Sequence, residues 1–261
     1  MKISVNCPSY KRPYVETLEY LPYCKVWVAE SEYGRYIEAN PGHEQNIISV
    51  PDNVQGNLCR IRNYILDNEL PDNDAVVIID DDLRKMGRFE PVGNFGYKDV
   101  EIDKDEFLIM IEKYSILCDD FGFKFWGCQC NSDRMAYLQF TPFCTTSYIG
   151  GPFQVFLHGN ELRYDENLPL KEDYDMTIQN CNKYRGCLRV NKIHYSCKQS
   201  AQEGGCATYR NREREEQQFK LLQKKWGSKI VRVDHSVSVK TKKIKKWLDY
   251  NPIIKIPISG V

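Results

Sequence analysis

Three consecutive carboxylates, Asp80-Asp81-Asp82, follow directly on the apolar, β-branched run 75–79 (AVVII). Carboxylates this close repel one another and cost free energy unless a cation neutralises them. Three acids in an ordinary loop read as a solvated turn. Three acids ending a buried strand read as a divalent-cation site, because open α/β sheets bind ligands beyond the carboxyl ends of their strands. Mg²⁺ or Mn²⁺ suits such oxygen ligands and keeps positions free for phosphate. A second acidic group, Lys171-Glu172-Asp173-Tyr174-Asp175, opens a helical pattern. Its acids can cap the helix or supply a general base facing the cation. His194 lies 21 positions beyond Asp173. Its readings are a structural histidine or a neutral imidazole completing the metal site.

A metal-bound phosphate needs further contacts. The loop Pro8-Ser9-Tyr10-Lys11-Arg12-Pro13 offers a hydroxyl, an aromatic face and two cations. The stretch Gly56-Asn57-Leu58-Cys59-Arg60-Ile61-Arg62-Asn63 puts a glycine at a helix start followed by two arginines, which suits a diphosphate or an exposed helix face. Neither a P-loop nor a Gly-x-Gly-x-x-Gly is present, which disfavours those nucleotide-binding modes. The eleven cysteines are scattered and odd in number. Buried thiols are favoured over a zinc site built from Cys181, Cys187, Cys197 and Cys206.

The elements that must position these groups alternate between strand and helix. Strand signals fall at 2–7, 25–29, 46–50 and 75–79, and helical spacing at 57–70 and 105–118. This predicts an α/β domain whose mostly parallel central sheet is flanked by helices. Beyond residue 121 the strand-like segments 125–130, 135–140, 153–157 and 190–195 are short, and helices are predicted at 173–184 and 209–226, the last closed by Gly227. One domain is expected over 1–261, with a nucleotide-binding half (1–100), an acceptor and catalytic half (101–205) and a basic C-terminal segment (206–261).

Hydrophobic residues make up 42% and charged residues 28%, which excludes a disordered chain. No apolar run reaches a membrane span, and the first residues read as a strand, not a signal peptide; a cytoplasmic protein with mostly reduced thiols is expected. The 36 basic and 36 acidic residues cancel, but 13 basic residues against four acidic ones fall within 210–247, leaving +9 there and −9 elsewhere. Lys240, Lys242, Lys243, Lys245 and Lys246 concentrate this charge, which suits either a polyanion such as DNA or a solvated face.

Taken in order, these pieces resemble a GT-A-fold glycosyltransferase, near the large family of inverting enzymes that use nucleotide sugars. The resemblance covers about residues 1–200. It implies that Pro8, Ser9, Tyr10 and Arg12, with Glu30 at the end of the second strand, hold the nucleotide. It implies that Gly56, Asn57, Arg62 and Asn63 contact the diphosphate or nucleotide. Asp80 and Asp82 would bind Mn²⁺ or Mg²⁺ with His194, Asp80 and Asp81 would also lie against the donor, and Asp173 would be the base with Glu172 beside it. Ile79-Asp80-Asp81-Asp82-Leu83 and Lys171-Glu172-Asp173-Tyr174-Asp175-Met176 look like the TET/JBP-associated glycosyltransferases, found in phages among others. That implies transfer from a nucleotide-diphosphate sugar, a UDP-sugar favoured, to hydroxymethylated pyrimidine in DNA, a protein acceptor being the alternative. The competing classes are a sugar nucleotidyltransferase, whose Gly-Gly-x-Gly-Thr-Arg signature is missing from the first loop, a metal-dependent nuclease using Asp80, Asp82, Glu172 and Asp173, and a non-catalytic DNA-binding module.

Overall fold

Short runs rich in Val, Ile and aromatics fold as strands because their side chains pack on both faces of a pleated sheet. The computed structural model describes residues 1–93, 96–130, 132–133, 137–197, 204–234 and 250–258. The strands β1 (Ile3–Pro8), β2 (Lys25–Ala29), β3 (Ile47–Val50) and β4 (Ala75–Ile79) lie side by side in the order β3-β2-β1-β4, every pair parallel. Helices α1 (Thr17–Tyr20), α2 (Tyr33–Ala39) and α3 (Leu58–Glu69) lie on the connections. This is the parallel α/β arrangement expected from the alternating signals.

The second half extends the same sheet. Its strands are β5 (Leu83–Val92), β6 (Gly96–Ile102), β7 (Phe125–Gln129), β8 (Phe143–Cys144), β9 (Phe153–Leu157) and β10 (Leu188–Cys197). Beyond β4 the order continues β9-β7-β10-β5-β6, with β8 also on β10. Here β7 and β10 are parallel and the other pairs antiparallel. Helix α4 (Lys104–Asp120) follows the β5–β6 hairpin, and α5 (Glu172–Tyr184) and α6 (Arg212–Trp226) follow β9 and β10. A separate antiparallel pair joins β11 (Val231–Val233) to β12 (Pro252–Ile254).

Alternation along β4 explains why its run is continuously apolar. Ala75, Val77 and Ile79 join one core with Phe107, Ile111, Tyr114 and Cys118 of α4. Val76 and Ile78 join the opposite core with Ile61, Ile65 and Leu66 of α3. With both faces covered, β4 can end only at an edge of the sheet layer, and its next three residues emerge there.

The hairpin β5–β6 and helix α2 have no counterpart in the sequence reading, because their charged residues blur the hydrophobic period. The strand expected over 135–140 does not form across the described 137–140, where Leu138 and Phe140 are exposed and Thr141 N–H turns back to the Leu138 carbonyl. Among the described residues no helix is long and apolar enough to cross a membrane.

Candidate active site

The ends of β1 and β4 share one edge of the sheet, where a cavity of about 820 Å³ opens. The loop after β1 and the acidic turn after β4 line one side, with the N-terminus of α3. Gly151, the first turn of α5, the end of β10 and residues 205–210 line the rest. Pro8, Ser9, Tyr10, Arg12, Gly56, Asn57, Arg62, Asp80, Asp81, Asp82, Glu172 and Asp173 therefore converge from four separate parts of the sequence.

The three aspartates divide their work. Asp81 turns toward the β1 loop, accepts from Ser9 Oγ at 2.6 Å and pairs with Arg12. Burial pushes its carboxyl up to about 6, although Arg12 and Ser9 pull it down. Asp80 is about one-third exposed and meets Arg62 Nη2 at 3.1 Å. Asp82 has no cationic partner within ion-pair distance among the described residues. Burial first, and then the charges of Asp80 and Asp81, push it up to about 7. Asp81 is thus committed to anchoring the loop and Asp80 is shared with Arg62, which leaves Asp82 as the acid without a cationic partner among the described residues.

Six acids (Asp80, Asp81, Asp82, Glu172, Asp173, Glu215) face four bases (Arg12, Arg62, Lys171, Arg210), and burial together with the neighbouring acids pushes Asp82 and Glu172 toward their neutral forms. Among the described residues no group of three or more His, Cys, Asp or Glu side chains is arranged to hold a metal ion. A cation on Asp80 and Asp82 would complete its shell with phosphate oxygens and water, as Mg²⁺ usually does.

Arg62 is the joint between the two acidic centres. Only 1% exposed, it reaches Asp80, the Gly151 carbonyl at 3.0 Å and Glu172 Oε1 at 3.2 Å. Burial works against its charge, but Tyr164, Glu172 and Asp80 more than offset that and raise its pKa. Glu172 is raised by burial and by Asp173, with Arg62 pulling it down. A β-carbon at Gly151 would come within 3.3 Å of Glu172 Oε1 and 3.4 Å of Arg62 Nη1 and would crowd both side chains.

Asp173 is held by three donors. Its Oδ2 accepts from the Tyr148 hydroxyl and from Gly151 N–H at 3.2 Å, and its Oδ1 from Tyr174 N–H at 2.8 Å. Asp175, on the same turn, is fully buried and bonds Trp226 Nε1 and Lys225 of α6. It is a structural acid.

Three expected ligands are placed elsewhere. His194 pairs across the ladder with Gly87, whose missing side chain leaves the space that the imidazole fills. The ring packs on Phe89, and Nε2 bonds Asp99 at 2.9 Å. It is not part of the cavity wall, so it does not complete the metal site. Glu30 is exposed in the turn after β2 and is also absent from the wall. Gln55 lines the cavity instead and donates to the carbonyls of Trp27 and Ser9. Asn63 spends its amide on the backbone of Tyr164, donating at 2.9 Å and accepting at 2.7 Å, and fixes that loop without lining the cavity. Asn57 lies at the rim, but its Oδ1 caps α3 through Cys59 N–H and Arg60 N–H.

The structure adds Tyr148, Gly151, Lys171, Tyr174, Cys197, Arg210 and Glu215 to the wall. Lys171, 1% exposed, bonds Glu215 Oε2 at 2.6 Å and so docks α6 against the start of α5. Arg210 also pairs with Glu215. Lys171 and Tyr174 flank the acidic pair in the sequence and Arg210 begins the basic stretch, whereas no local pattern marks Tyr148 or Glu215. The four cysteines considered for zinc are dispersed: Cys181 faces Cys187 at 3.7 Å in the core, Cys197 lines the cavity, and Cys206 bonds Tyr209. Lys240, Lys242, Lys243, Lys245 and Lys246 lie outside the described residues.

No protein-family profile matches the sequence, and no curated protein matches it at a significant level. The chain is similar to the solved structure of Staphylococcus aureus TarS in complex with UDP, at 12% identity and a TM-score of 0.49, over 85% of this chain and 64% of that one. It thus spans less than two thirds of that TarS chain. It is also similar to a mycobacterial protein (12% identity, TM-score 0.45, 85% of this chain and 72% of that one). A third similar structure is 4-diphosphocytidyl-2C-methyl-D-erythritol synthase from Anaerococcus prevotii (12% identity, TM-score 0.40, 77% of this chain and 91% of that one).

Proposed function

We propose that this protein is a glycosyltransferase that moves a sugar from a nucleoside-diphosphate donor, a UDP-sugar first among them, to a hydroxyl acceptor with inversion, using Mn²⁺ or Mg²⁺ on Asp80 and Asp82. The observation that carries this reading is the single cavity in which the acidic end of β4 meets the acidic start of α5, bridged by buried Arg62. When bound, the cation supplies charge stabilisation to the departing diphosphate. Asp173 accepts the proton of the attacking hydroxyl. Tyr148, Gly151 and Tyr174 hold that carboxylate in one orientation, and Glu172 is fixed beside it by Arg62. In the loop of Pro8, Ser9, Tyr10 and Arg12, Tyr10 offers an aromatic face and a hydroxyl to the nucleoside, while Ser9 and Arg12 hold the loop on Asp81. The proposed acceptor is hydroxymethylated pyrimidine in DNA, supported by the motif resemblance and by the +9 charge of residues 210–247.

A nuclease reading fits less well, since Glu172 and Asp173 are already engaged by Arg62 and by three donors. Thermal-shift measurements with UDP-, GDP- and CDP-sugars, with and without Mn²⁺, test the proposal, followed by mass spectrometry of hydroxymethylated DNA. Stabilisation by a nucleotide sugar only with the ion supports the transferase. DNA cleavage with metal alone would replace it by the nuclease.

Two expected outcomes follow from Asp82. Asp82→Ala abolishes metal-dependent nucleotide binding and leaves the fold intact, because losing one of three neighbouring acids relieves repulsion in the ion-free state. Unchanged UDP affinity in calorimetry with Mn²⁺ would remove Asp82 from the ion's ligands.

The second outcome is a pH dependence. The unfolded chain releases the Asp82 proton near pH ~4, whereas the folded chain keeps it until about 7. The stability contributed by that proton is complete below the unfolded value and is lost as pH rises through the folded one. Asp81, pushed up to about 6, acts with the same sign. Melting temperature in chelator should therefore fall as pH rises across this window, and Asp82→Asn should flatten the fall. A melting temperature that rises over the same range would contradict the uncompensated acidic turn.

A further inference from the structure

A second groove of about 420 Å³ shares the side chains of Tyr148 and Tyr174 with the catalytic cavity. Tyr148 is the residue whose hydroxyl bonds Asp173, and its ring stacks on Tyr174 with centroids 4.2 Å apart. The groove also takes in Arg189 of β10 and Lys255, and no carboxylate lines it.

Arg189 is half-buried, and its guanidinium meets only neutral groups. It donates to Asn191 Oδ1 at 2.9 Å and to the Tyr148 carbonyl at 3.4 Å, with Cys144 Sγ at 4.0 Å. Neither Arg189 nor Lys255 has a carboxylate within ion-pair distance among the described residues. An anion entering the groove would supply the counter-charge that these two cations lack there. The thiol of Cys144 senses the same positive field: burial would raise it, but Asn191, Ser147 and Arg189 bring it below its usual value.

We propose that this groove is an acceptor subsite that binds the phosphodiester backbone of a nucleic-acid strand and delivers a neighbouring nucleotide to Asp173. The chemistry favours a nucleic acid over a simple polyphosphate. Two cations share the groove with Tyr148 and apolar Ile253 and Ile256, so a strand would be held by its phosphate charges with apolar contacts beside them. The volume lies in the range of small-ligand sites. The delivery step rests on the transferase reading above; the binding step does not.

The test is fluorescence anisotropy of a short single-stranded oligodeoxynucleotide across a salt series, with the full chain. Arg189→Gln and Lys255→Gln should each lower affinity by up to roughly tenfold. Each should also reduce the slope of log affinity against log salt by ~0.7, as one lost phosphate contact requires. Melting temperature checks the fold of Arg189→Gln, and Lys255 is exposed, so its variant has no core to disrupt. A neutral methylphosphonate oligonucleotide should bind the wild type weakly. Wild-type affinity and slope in both variants would overturn the subsite, as would equal binding of the methylphosphonate. Competition by tripolyphosphate as strong as by the oligonucleotide would overturn the nucleic-acid assignment. Absence of ion-dependent UDP binding in the wild type would instead sink the transferase reading and leave the oligonucleotide result legible.

Discussion

Asp173→Asn should lower the rate of sugar transfer by ~10²-fold to 10⁴-fold while the affinity for the nucleotide donor stays close to wild type. A carboxylate offers roughly four lone-pair sites. Tyr148, Gly151 and Tyr174 occupy three of them, which leaves one position on Oδ1 to take the acceptor's proton. The amide keeps the shape and loses that acceptor. It also turns an N–H₂ group toward one set of donors, so the side chain can satisfy only part of its former contacts. Single-turnover transfer at saturating donor measures the chemical step, and calorimetry with UDP and Mn²⁺ measures donor binding. A variant that transfers at near wild-type rate would exclude Asp173 as base and shift attention to Glu172. Asp175 is not a candidate in its place, because it is sealed against α6.

Arg62→Met should destabilise the folded chain by about 3–5 kcal/mol, the usual cost of leaving a buried ionic group without its partner. The guanidinium is 1% exposed and joins Asp80, Glu172 and the Gly151 carbonyl. Removing it leaves Glu172 facing Asp173 with no cation between the two acidic centres. A fall in melting temperature of roughly 10 °C or more is expected for a chain of this size. Arg62→Lys should recover little, since an ammonium cannot span both carboxylates as the planar fork does. The double variant Arg62→Met with Glu172→Gln should be more stable than the single one, because it also removes the stranded charge. A single variant that melts within a degree or two of wild type would mean that solvent already neutralises both acids. Circular dichroism melts in chelator separate this effect from stabilisation by an ion.

Much of the frame was legible in the residues alone. The run AVVII read as a strand covered on both faces, and the structure places the three acids directly after it at the sheet's edge. The helical spacing of Phe107, Ile111, Tyr114 and Cys118 placed α4 against the core it joins. Gly227 closed α6, with a positive φ of 87° that favours glycine. These are local consequences of period, volume and backbone freedom, and a sequence records them directly.

Partnership is not local, and only the tertiary structure decided it. Asp80, Asp81 and Asp82 look equivalent in the chain, yet Arg12 and Ser9 claim Asp81, Arg62 takes Asp80, and Asp82 is left without a cationic partner among the described residues. Glu172, Asp173 and Asp175 share one helical turn, but Arg62 takes the first, Tyr148 and Gly151 the second, and α6 buries the third. His194 carried a ligand's chemistry, and a glycine on the neighbouring strand gave its ring a different place. Sequence fixes which groups can ionise or coordinate. Which of them do so depends on which opposite charge, donor or cavity the fold brings within about 3 Å, a distance at which a displacement of one residue along a strand changes every partner.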